Sequence, residues 1–331
     1  MPRSFIFFVD TNTWREHNRV GIAGINEPGG WRSNTAYSEV SGIRAGDRIF
    51  FRLGRQQPSA ILGLFEAESA AYYDPGPLFP GAEFVSDNLP IRVRYRCRTY
   101  YPNPLSIEDL WLSKERGKIW TIQQSRGDVL GRHACINIDE EEADLIVKLL
   151  EAANPIRFVK FDYESVRRAL GISGTNRLKL PISKDTDAPG QLKYEAALQA
   201  RLAEHLANGE FKETVGDYTH FLTYVTTGAQ SEMDVVLVKR DGNEILWYEV
   251  IELKRSTFDI RELQKVIAYE KWVLNSRCDN ALQIHSVGVA HDFDEKVIEY
   301  VDGRRKYGDR PIRLIRYSFD SATERISLSP L

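Results

Sequence analysis

The sequence predicts a two-domain protein of α+β and α/β character, in which a small mixed β domain precedes a mixed sheet flanked by helices. Three observations predict this. The chain has 331 residues, and a domain typically takes about 100–200. Its first half contains short strand-like runs separated by Pro and Gly, and its second half combines helical and strand patterns. We place the N-terminal domain at 1–154, a connector and linker at 155–191, and the C-terminal domain at 192–331.

The N-terminal strands are predicted from runs rich in β-branched and aromatic residues, at 6–9, 48–53, 61–68 and 91–101. A helix is predicted over 139–154, because Asp139 can cap its start and Pro155 follows its end. A short helix is predicted within 155–170. Residues 171–191 show no hydrophobic periodicity and are rich in Gly, Pro, Ser and Asp, which is typical of a linker.

The C-terminal half begins with a helical pattern and continues with alternating apolar runs. The predicted elements are a helix at 192–208, a strand at 219–227, a hairpin at 233–254, a helix at 260–276, and strands at 284–293 and 310–319. An Asp241-Gly242 pair marks the turn of the hairpin. This order predicts a sheet with helices packed against it.

Composition limits the classes of protein. The net charge of −3 does not indicate a nucleic-acid-binding protein, so any DNA affinity must come from local patches. The three cysteines form no C-x-x-C pair, which argues against a zinc ribbon or a disulfide framework. No run reaches the ~18 apolar residues of a membrane helix, and the first residues do not resemble a signal peptide. We therefore expect a cytoplasmic protein that does not bind membranes.

The most specific chemical pattern is EVIELKR at 249–255. In a strand Glu252 and Lys254 point to the same face, and a buried carboxylate and ammonium require mutual pairing or a metal. The hairpin returns Asp234 beside Glu252, and Glu195 lies on the upstream helix. Glu195, Asp234 and Glu252 could hold one or two Mg²⁺ (or Mn²⁺) ions. Lys254 would orient a water and stabilise charge developing on phosphorus.

Register tests this arrangement, because Asp234 and Glu252 must share a face of the hairpin to bind one metal. A two-residue Asp241-Gly242 turn would place Asp234 opposite Glu249, whose side chain points away from Glu252. We therefore predict one of two features. The first is a three-residue loop with Gly242 or Asn243 in the left-handed region, and the second is a β-bulge between 234 and 252.

The carboxylates and lysine resemble the motif of the PD-(D/E)xK nuclease superfamily over roughly 190–295. The matching residues are Glu195, Asp234, Glu252 and Lys254, followed on the next helix by Gln264 and Tyr269. Met233-Asp234 stands where the motif has Pro-Asp. The resemblance implies a mixed sheet flanked by helices, a metal-dependent endodeoxyribonuclease activity, and a catalytic role for Gln264.

The N-terminal domain resembles the EVE domain, a PUA-like β-barrel related to the YTH readers of methylated bases. The matching segments are Trp31-Arg32-Ser33-Asn34, Gly46-Asp47-Arg48, Gly63 with Glu66, and Gln124-Ser125-Arg126. Ser33, inserted before Asn34, departs from the simplest form of the motif. The resemblance implies a β-barrel with helices that binds a modified base.

A base flipped out of DNA needs aromatic faces and hydrogen bonds to its edge. Trp31 is the first candidate for such a face, since a core tryptophan is less expected in its Gly-rich loop. Trp14 and Trp120 are further candidates, although tryptophans are more often core residues. Ser33 and Asn34 would supply hydrogen bonds to the base edge.

Four arginines alternate along one predicted strand: Arg92, Arg94, Arg96 and Arg98. Their side chains would share one face, where a DNA backbone would balance their charge. We add Arg126 to these backbone contacts. The alternative is a solvated edge strand whose charges prevent association with other strands.

Together these patterns predict a restriction-type endonuclease that depends on DNA modification. It would act on double-stranded DNA carrying 5-methylcytosine, 5-hydroxymethylcytosine or N6-methyladenine, and we expect a homodimer because each chain has one active site. Two alternatives stay open. One is a repair nuclease that recognises a lesion or a particular DNA structure, and the other is a non-catalytic reader of modified DNA.

Overall fold

The computed structural model describes residues 2–54, 59–79, 89–122, 133–156, 161–172, 177–227 and 231–331. These residues divide into an N-terminal unit, Pro2–Pro181, and a C-terminal unit, Ile182–Leu331. The connector that we predicted at 155–191 is divided between the two units. Among the described residues, no helix has both the length and the apolar character that crossing a membrane requires.

The N-terminal unit contains eight strands and five helices within its described residues. In chain order they are β1 (Ser4–Val9), α1 (Thr11–Val20), β2 (Ile22–Ile25), α2 (Arg32–Val40), β3 (Arg48–Leu53), β4 (Ala60–Ala67), β5 (Tyr72–Tyr73), β6 (Ile91–Cys97), β7 (Leu105–Ser106), α3 (Ile107–Leu112), β8 (Cys135–Ile138), α4 (Glu140–Ala153) and α5 (Tyr163–Ala169). The four predicted strands are confirmed as β1, β3, β4 and β6, and the two predicted helices as α4 and α5.

The N-terminal strands form a curled half-barrel with the order β2-β6-β4-β3-β1-β8, to which β5 and β7 add at β6 and β4. Strands β1 and β3 are parallel, and the other pairs are antiparallel. On one side of the sheet, Ile6, Phe50 and Ile61 pack with Leu145 and Leu150 of α4. Burial of this apolar face holds α4 against the sheet.

Helix α4 begins with a capping box in which Asp139 and Glu142 bond each other's backbone N–H groups. The fully buried Glu142 carboxylate also accepts N–H groups of the preceding segment, from Thr121 at 2.8 Å, Ile122 at 3.1 Å and Trp120. Burial raises the pKa of Glu142 to about 7, against the effect of these hydrogen bonds. The Glu142 side chain thus provides hydrogen-bond acceptors for backbone N–H groups of 120–122, which lie outside the strands of the sheet.

The C-terminal unit contains a six-stranded mixed sheet and four helices within the described chain. In order they are β9 (Thr186–Ala188), β10 (Gln191–Leu192), α6 (Glu195–Ala207), α7 (Lys212–Val215), β11 (His220–Thr226), β12 (Glu232–Asp241), β13 (Glu244–Phe258), α8 (Ile260–Arg277), β14 (Ile284–Phe293), α9 (Glu295–Lys306), β15 (Ile312–Asp320) and β16 (Arg325–Pro330). The six predicted C-terminal elements are present, and β9, β10, α7, α9 and β16 are additional.

The large sheet has the order β11-β12-β13-β14-β15-β16, in which β13, β14 and β15 are parallel and the outer pairs antiparallel. One face packs on α6, where Leu198 and Leu202 contact the cluster that contains Ile251 and Leu253. The other face packs on α8 and α9 through a second apolar cluster. The predicted sheet flanked by helices is confirmed at this level.

Residues 182–191, predicted as linker, belong to the C-terminal unit. The β9–β10 hairpin lies here, and the carbonyls of Ile182 and Ser183 accept hydrogen bonds at 3.2 Å from the buried Arg201 guanidinium. Phe319 N–H donates to the Gly190 carbonyl at 2.8 Å. The segment lacks hydrophobic periodicity because these polar contacts, rather than an apolar face, hold it in place.

The β12–β13 hairpin contains the β-bulge that we predicted. Its loop is Gly242-Asn243, with Gly242 at φ 55°, and the register shifts between the Lys239–Trp247 and Arg240–Ile245 pairs. This differs from the Asp241-Gly242 turn and from the three-residue loop that we also considered. The one extra residue in β13 changes the register of the whole hairpin beyond it.

Candidate active site and base-binding site

The bulge places Asp234 and Glu252 opposite each other on adjacent strands. The ladder pairs Val235 with Ile251 and Val236 with Val250, and one further step in this register pairs Asp234 with Glu252. Directly opposed side chains on one face lie about 5 Å apart at Cβ. Asp234 and Glu252 therefore share one environment, on the sheet face opposite to that of Ile251.

Glu252 is buried and Asp234 is half-buried, and both carboxylates make few hydrogen bonds. Leu253 N–H donates to Asp234 Oδ2 at 2.7 Å, whereas Glu252 Oε2 is buried without a hydrogen-bond partner among the described residues. Burial raises the pKa of Asp234, and the nearby Glu195 adds to the rise. Burial also raises the pKa of Glu252, and the charge of Asp234 raises it further. Two acids so close together in a poorly solvated position therefore favour a cation beside them.

Lys254 lies at the same site but is paired elsewhere. Its ammonium is 3.2 Å from Glu195 Oε2 and 3.6 Å from Glu262 Oε1. Burial lowers the pKa of Lys254, but these two carboxylates raise it more, so the net shift is upward. Glu195, the first residue of α6, also accepts the N–H of Arg255 at 3.3 Å. Glu195 thus helps to position Lys254 and the backbone of β13 at Arg255.

The cation nearest Glu252 is one that sequence reasoning missed. Lys265 of α8 donates to Glu252 Oε1 at 3.2 Å and to Glu262 Oε2 at 2.6 Å. Gln264, to which we assigned a catalytic role, is exposed on the same helix. The Glu262–Lys265 spacing of three residues, which places both on one helix face, was the available signal. Tyr269 lies one turn further and donates to the Glu232 carbonyl at 2.9 Å.

This geometry bears on the predicted set of three metal-binding carboxylates. Within the described ranges, no group of three or more His, Cys, Asp and Glu side chains is arranged to hold a metal ion. The Glu195 carboxylate pairs with Lys254 at 3.2 Å, and its place among the ligands stays a prediction. Asp234 and Glu252 fit a hard divalent cation, since Glu252 is a buried acid whose Oε2 has no partner among the described residues, and the half-buried Asp234 is on the adjacent strand. Mg²⁺ commonly binds through one or two carboxylates and keeps several waters.

In the N-terminal unit, Trp31 has an exposed aromatic ring. It stands at the start of α2 after Gly29 and Gly30, which both have positive φ, and it is 59% exposed. The Arg32 guanidinium lies 5.5 Å from its ring centroid. An exposed tryptophan beside an arginine suits base stacking.

The other predicted pocket residues have structural roles here. Trp14 packs against Phe51 and Phe65, with ring centroids 4.7 and 5.6 Å away, and Trp120 is buried. The ring contacts of Trp14 and the burial of Trp120 indicate core positions, so we remove both from the pocket. Ser33 and Asn34 are also buried. They support the loop of Trp31: Ser33 Oγ accepts Gly29 N–H at 3.1 Å, and Asn34 Nδ2 donates to the Trp31 carbonyl at 3.4 Å.

A polar group behind this loop was missed by sequence reasoning. The Glu27 carboxylate accepts hydrogen bonds from the hydroxyls of Tyr37 in α2 and Tyr73 in β5, the latter at 2.8 Å. Burial and the Glu27 carboxylate raise the pKa of Tyr37, whose hydroxyl also bonds Ser33. Tyr37 follows Ser33 by four residues, so their shared helix face was predictable. The partner Glu27 left no sequence signal.

The arginine strand is only partly exposed. Arg92 is buried and pairs with Asp74 at 2.8 Å, and Arg94 is half-buried and bonds the Tyr72 hydroxyl. We therefore remove Arg92 from the predicted backbone contacts, because internal groups satisfy it. Arg96 and Arg98 are 57% and 55% exposed and both bond Glu66. Gln124, Ser125 and Arg126 lie outside the described residues.

Comparisons with known proteins reach only parts of this chain. No family model and no curated protein matches it. Among solved structures, 44% of the chain is similar to 99% of a Pseudomonas putida protein, at 17% identity and TM-score 0.33. In a second comparison, 45% of the chain is similar to 98% of human THYN1 protein in complex with 5-methylcytosine containing DNA, at 12% identity and TM-score 0.32. A third match joins 34% of the chain to 46% of a repair endonuclease from Pyrococcus abyssi, at 19% identity and TM-score 0.25. At TM-scores below 0.5, these similarities decide neither the fold family nor the function.

Proposed function

We propose that this chain is a DNA endonuclease whose C-terminal unit hydrolyses phosphodiesters and whose N-terminal unit recognises a modified base. The observation that carries the nuclease proposal is the pair formed by the buried Glu252 and the half-buried Asp234 on adjacent strands, with Lys254 and Lys265 beside it. Burying two carboxylates together is costly unless a cation accompanies them. Such an expensive arrangement indicates a binding site for a divalent cation.

Asp234 and Glu252 would hold Mg²⁺ (or Mn²⁺), which when bound polarises a phosphate and lowers the pKa of a bound water. Lys254 would contribute its ammonium group to a phosphate oxygen that gains charge during hydrolysis. Glu195 and Glu262 fix the position of that ammonium from two sides. In this arrangement Asp234 and Glu252 would bind the cation, and Lys254 would bind the substrate phosphate.

In the N-terminal unit, Trp31 would stack on a base flipped out of double-stranded DNA. Base–aromatic stacking tolerates any base, so groups at the base edge would decide which base enters the pocket, and stacking on Trp31 would then favour only the base that enters. The hydroxyls and carboxylate of the Tyr37–Glu27–Tyr73 group are candidates for that role. The proposed substrates are DNA with 5-methylcytosine, 5-hydroxymethylcytosine or N6-methyladenine. Cutting both strands would use two chains, as in a restriction-type homodimer.

The proposal is tested by incubating the full chain and Mg²⁺ with matched plasmids. One plasmid is unmodified, and the others carry methylated cytosine, hydroxymethylated cytosine or methylated adenine. We expect cleavage of at least one modified plasmid, little cleavage of the unmodified one, and none with EDTA. Equal cleavage of all plasmids would contradict the reader, and an absence of cleavage in all would contradict the nuclease.

Replacing Trp31 by Ala is expected to reduce discrimination between modified and unmodified DNA about fivefold to hundredfold. This range corresponds to the loss of a stacking contact worth about 1–3 kcal/mol. Trp31→Phe should retain part of the discrimination, and Leu112→Ala, which removes another exposed apolar side chain of the unit, should retain all of it. Binding is measured by fluorescence anisotropy with oligonucleotides that differ in one base. Unchanged selectivity in Trp31→Ala would place the base elsewhere.

Neutralising Arg96 and Arg98 together as glutamines is expected to weaken binding to modified and unmodified DNA alike. If each contacts one phosphate, the slope of log affinity against log salt should fall by about 2. Glutamine is chosen because Glu66 lies between the two arginines. The control with the same change in charge is Lys114→Gln with Arg116→Gln. A loss confined to modified DNA would instead place these arginines at the base.

A further inference from the structure

Helix α8 brings a fixed lysine to the carboxylate pair. Its start is capped by Asp259, whose carboxylate accepts the N–H groups of Arg261 at 2.8 Å and Glu262 at 3.2 Å. Leu263 and Val266 are buried in the apolar cluster beneath the helix. The backbone at residue 265 is therefore held by packing on both sides, so the position of Lys265 beside the carboxylates follows from the fold.

Lys265 supplies the positive charge at Glu252. The ammonium of Lys254 is taken up by Glu195 and Glu262, while that of Lys265 reaches Glu252 at 3.2 Å. The side chain of Lys265 is 47% exposed, whereas that of Glu252 is 6% exposed. A half-exposed lysine on a flexible stem is free to turn into solvent, and the buried carboxylate is not.

We propose that Lys265 occupies the cation position of the Asp234–Glu252 pair in the metal-free protein, and that a divalent cation displaces its ammonium group from Glu252. The inference rests on the proposed metal site. The ammonium and a divalent cation repel each other strongly at contact distance in a partly buried site. Both therefore cannot remain at Glu252 Oε1. After displacement the ammonium would keep its 2.6 Å bond to Glu262.

This exchange has a consequence for affinity. The lysine stabilises the metal-free carboxylates, and the same stabilisation is lost when the metal enters, so Lys265 weakens metal binding. Glu262 pairs with both lysines, so the ammonium of Lys265 would still have a carboxylate partner after it leaves Glu252. Lys265 is in this sense a positioning residue rather than a catalytic one.

The test is titration of the full, metal-free chain with MnCl₂ by isothermal titration calorimetry. We expect Lys265→Ala and Lys265→Gln to bind Mn²⁺ about tenfold more tightly than the unchanged chain, since a competing charge is removed. Lys271→Ala, which removes an exposed lysine of the same helix, should leave the affinity unchanged. Glu252→Gln should remove most of the binding, which locates the ion. In thermal melts, Mn²⁺ should raise the midpoint of Lys265→Ala more than that of the unchanged chain.

Equal or weaker Mn²⁺ binding by both Lys265 variants would overturn the inference, as would an absence of Mn²⁺ binding in every protein. An equal gain in Lys271→Ala would also overturn it, because the effect would then come from net charge. Cleavage is assayed separately on the same samples. If the Lys265 variants gain affinity and the unchanged chain cuts no DNA, the inference stands and the proposed nuclease activity fails.

Discussion

Replacing Glu252 by Gln is expected to reduce DNA cleavage by about a thousandfold or more, as for loss of a group that acts as part of a catalytic unit. The substitution keeps the size of the side chain but removes one of the two charges that would hold the cation. It also replaces the carboxylate that accepts a hydrogen bond from Lys265 with an amide, which can donate as well as accept. Binding of modified DNA should persist, because the substitution lies in the other unit from Trp31.

The matched control for this prediction is Glu249→Gln. Glu249 is also buried and lies on the same strand, but its side chain points to the opposite face and pairs with Arg313. Its replacement should leave cleavage within about threefold, the usual context-dependence of a remote change. Nicking of modified supercoiled plasmid under single-turnover conditions measures the rate, and gel shift without Mg²⁺ measures binding. Normal cleavage by Glu252→Gln would refute the proposed active site.

The second large effect is on stability. Replacing Glu142 by Ala is expected to lower the free energy of unfolding of the N-terminal unit by about 4 kcal/mol or more. The change would leave the N–H groups of Trp120, Thr121 and Ile122 buried without their acceptor, and each unsatisfied buried group costs about 1–3 kcal/mol. Glu142→Gln keeps one acceptor oxygen and should lose less.

Calorimetry or urea unfolding followed by tryptophan fluorescence measures this effect. Glu140→Ala is the control in the same turn of α4, and loss of a first-turn acid there should cost less than about 1 kcal/mol. A loss of similar size in Glu140→Ala and Glu142→Ala would show that the helix start, rather than the buried carboxylate, is responsible. As a control for correct folding, both variants should bind DNA under conditions in which they are not yet unfolded.

The C-terminal unit was the more predictable half because its elements carry clear apolar periodicity. The sheet strands alternate or run apolar, and α6 and α8 have regular buried positions, so pattern alone placed them. Helix α9 was missed because it buries little apolar surface, with Val297 and Val301 as its buried residues and Gly303 near its end. Strand β16 is mostly exposed and lies at the edge of the sheet.

The predicted β-bulge was confirmed, whereas the side-chain pairings around the candidate site were not foreseen. Requiring Asp234 and Glu252 on one face was enough to predict a bulge. Nothing in the sequence showed that Glu195 pairs with Lys254, or that Lys265 rather than Gln264 reaches Glu252. These pairings depend on how α6 and α8 approach the sheet, which is a property of tertiary packing.

The arginine strand shows the same limit in the N-terminal unit. Alternation correctly predicts which residues share a face, but it does not show what covers that face. Asp74 and the Gly76 carbonyl cover Arg92 from a connection far along the chain, and Glu66 lies beside Arg96 and Arg98. Trp31 was the first candidate for the base-stacking ring because it lies in a Gly-rich loop. That argument uses only neighbouring residues and does not depend on distant contacts.

The bulge in the β12–β13 hairpin also separates the length of the hairpin tip from the alignment of the acids. The unpaired position falls at Leu246, between the tip and the carboxylates, and 241–244 and Leu246 are exposed. A chain lacking Leu246 would form an uninterrupted ladder with Lys239 still opposite Trp247, so Asp234 would still meet Glu252. We therefore expect the tip to tolerate length changes that would misalign a regular hairpin, and residues 242–243 offer an insertion point for a label away from Asp234 and Glu252.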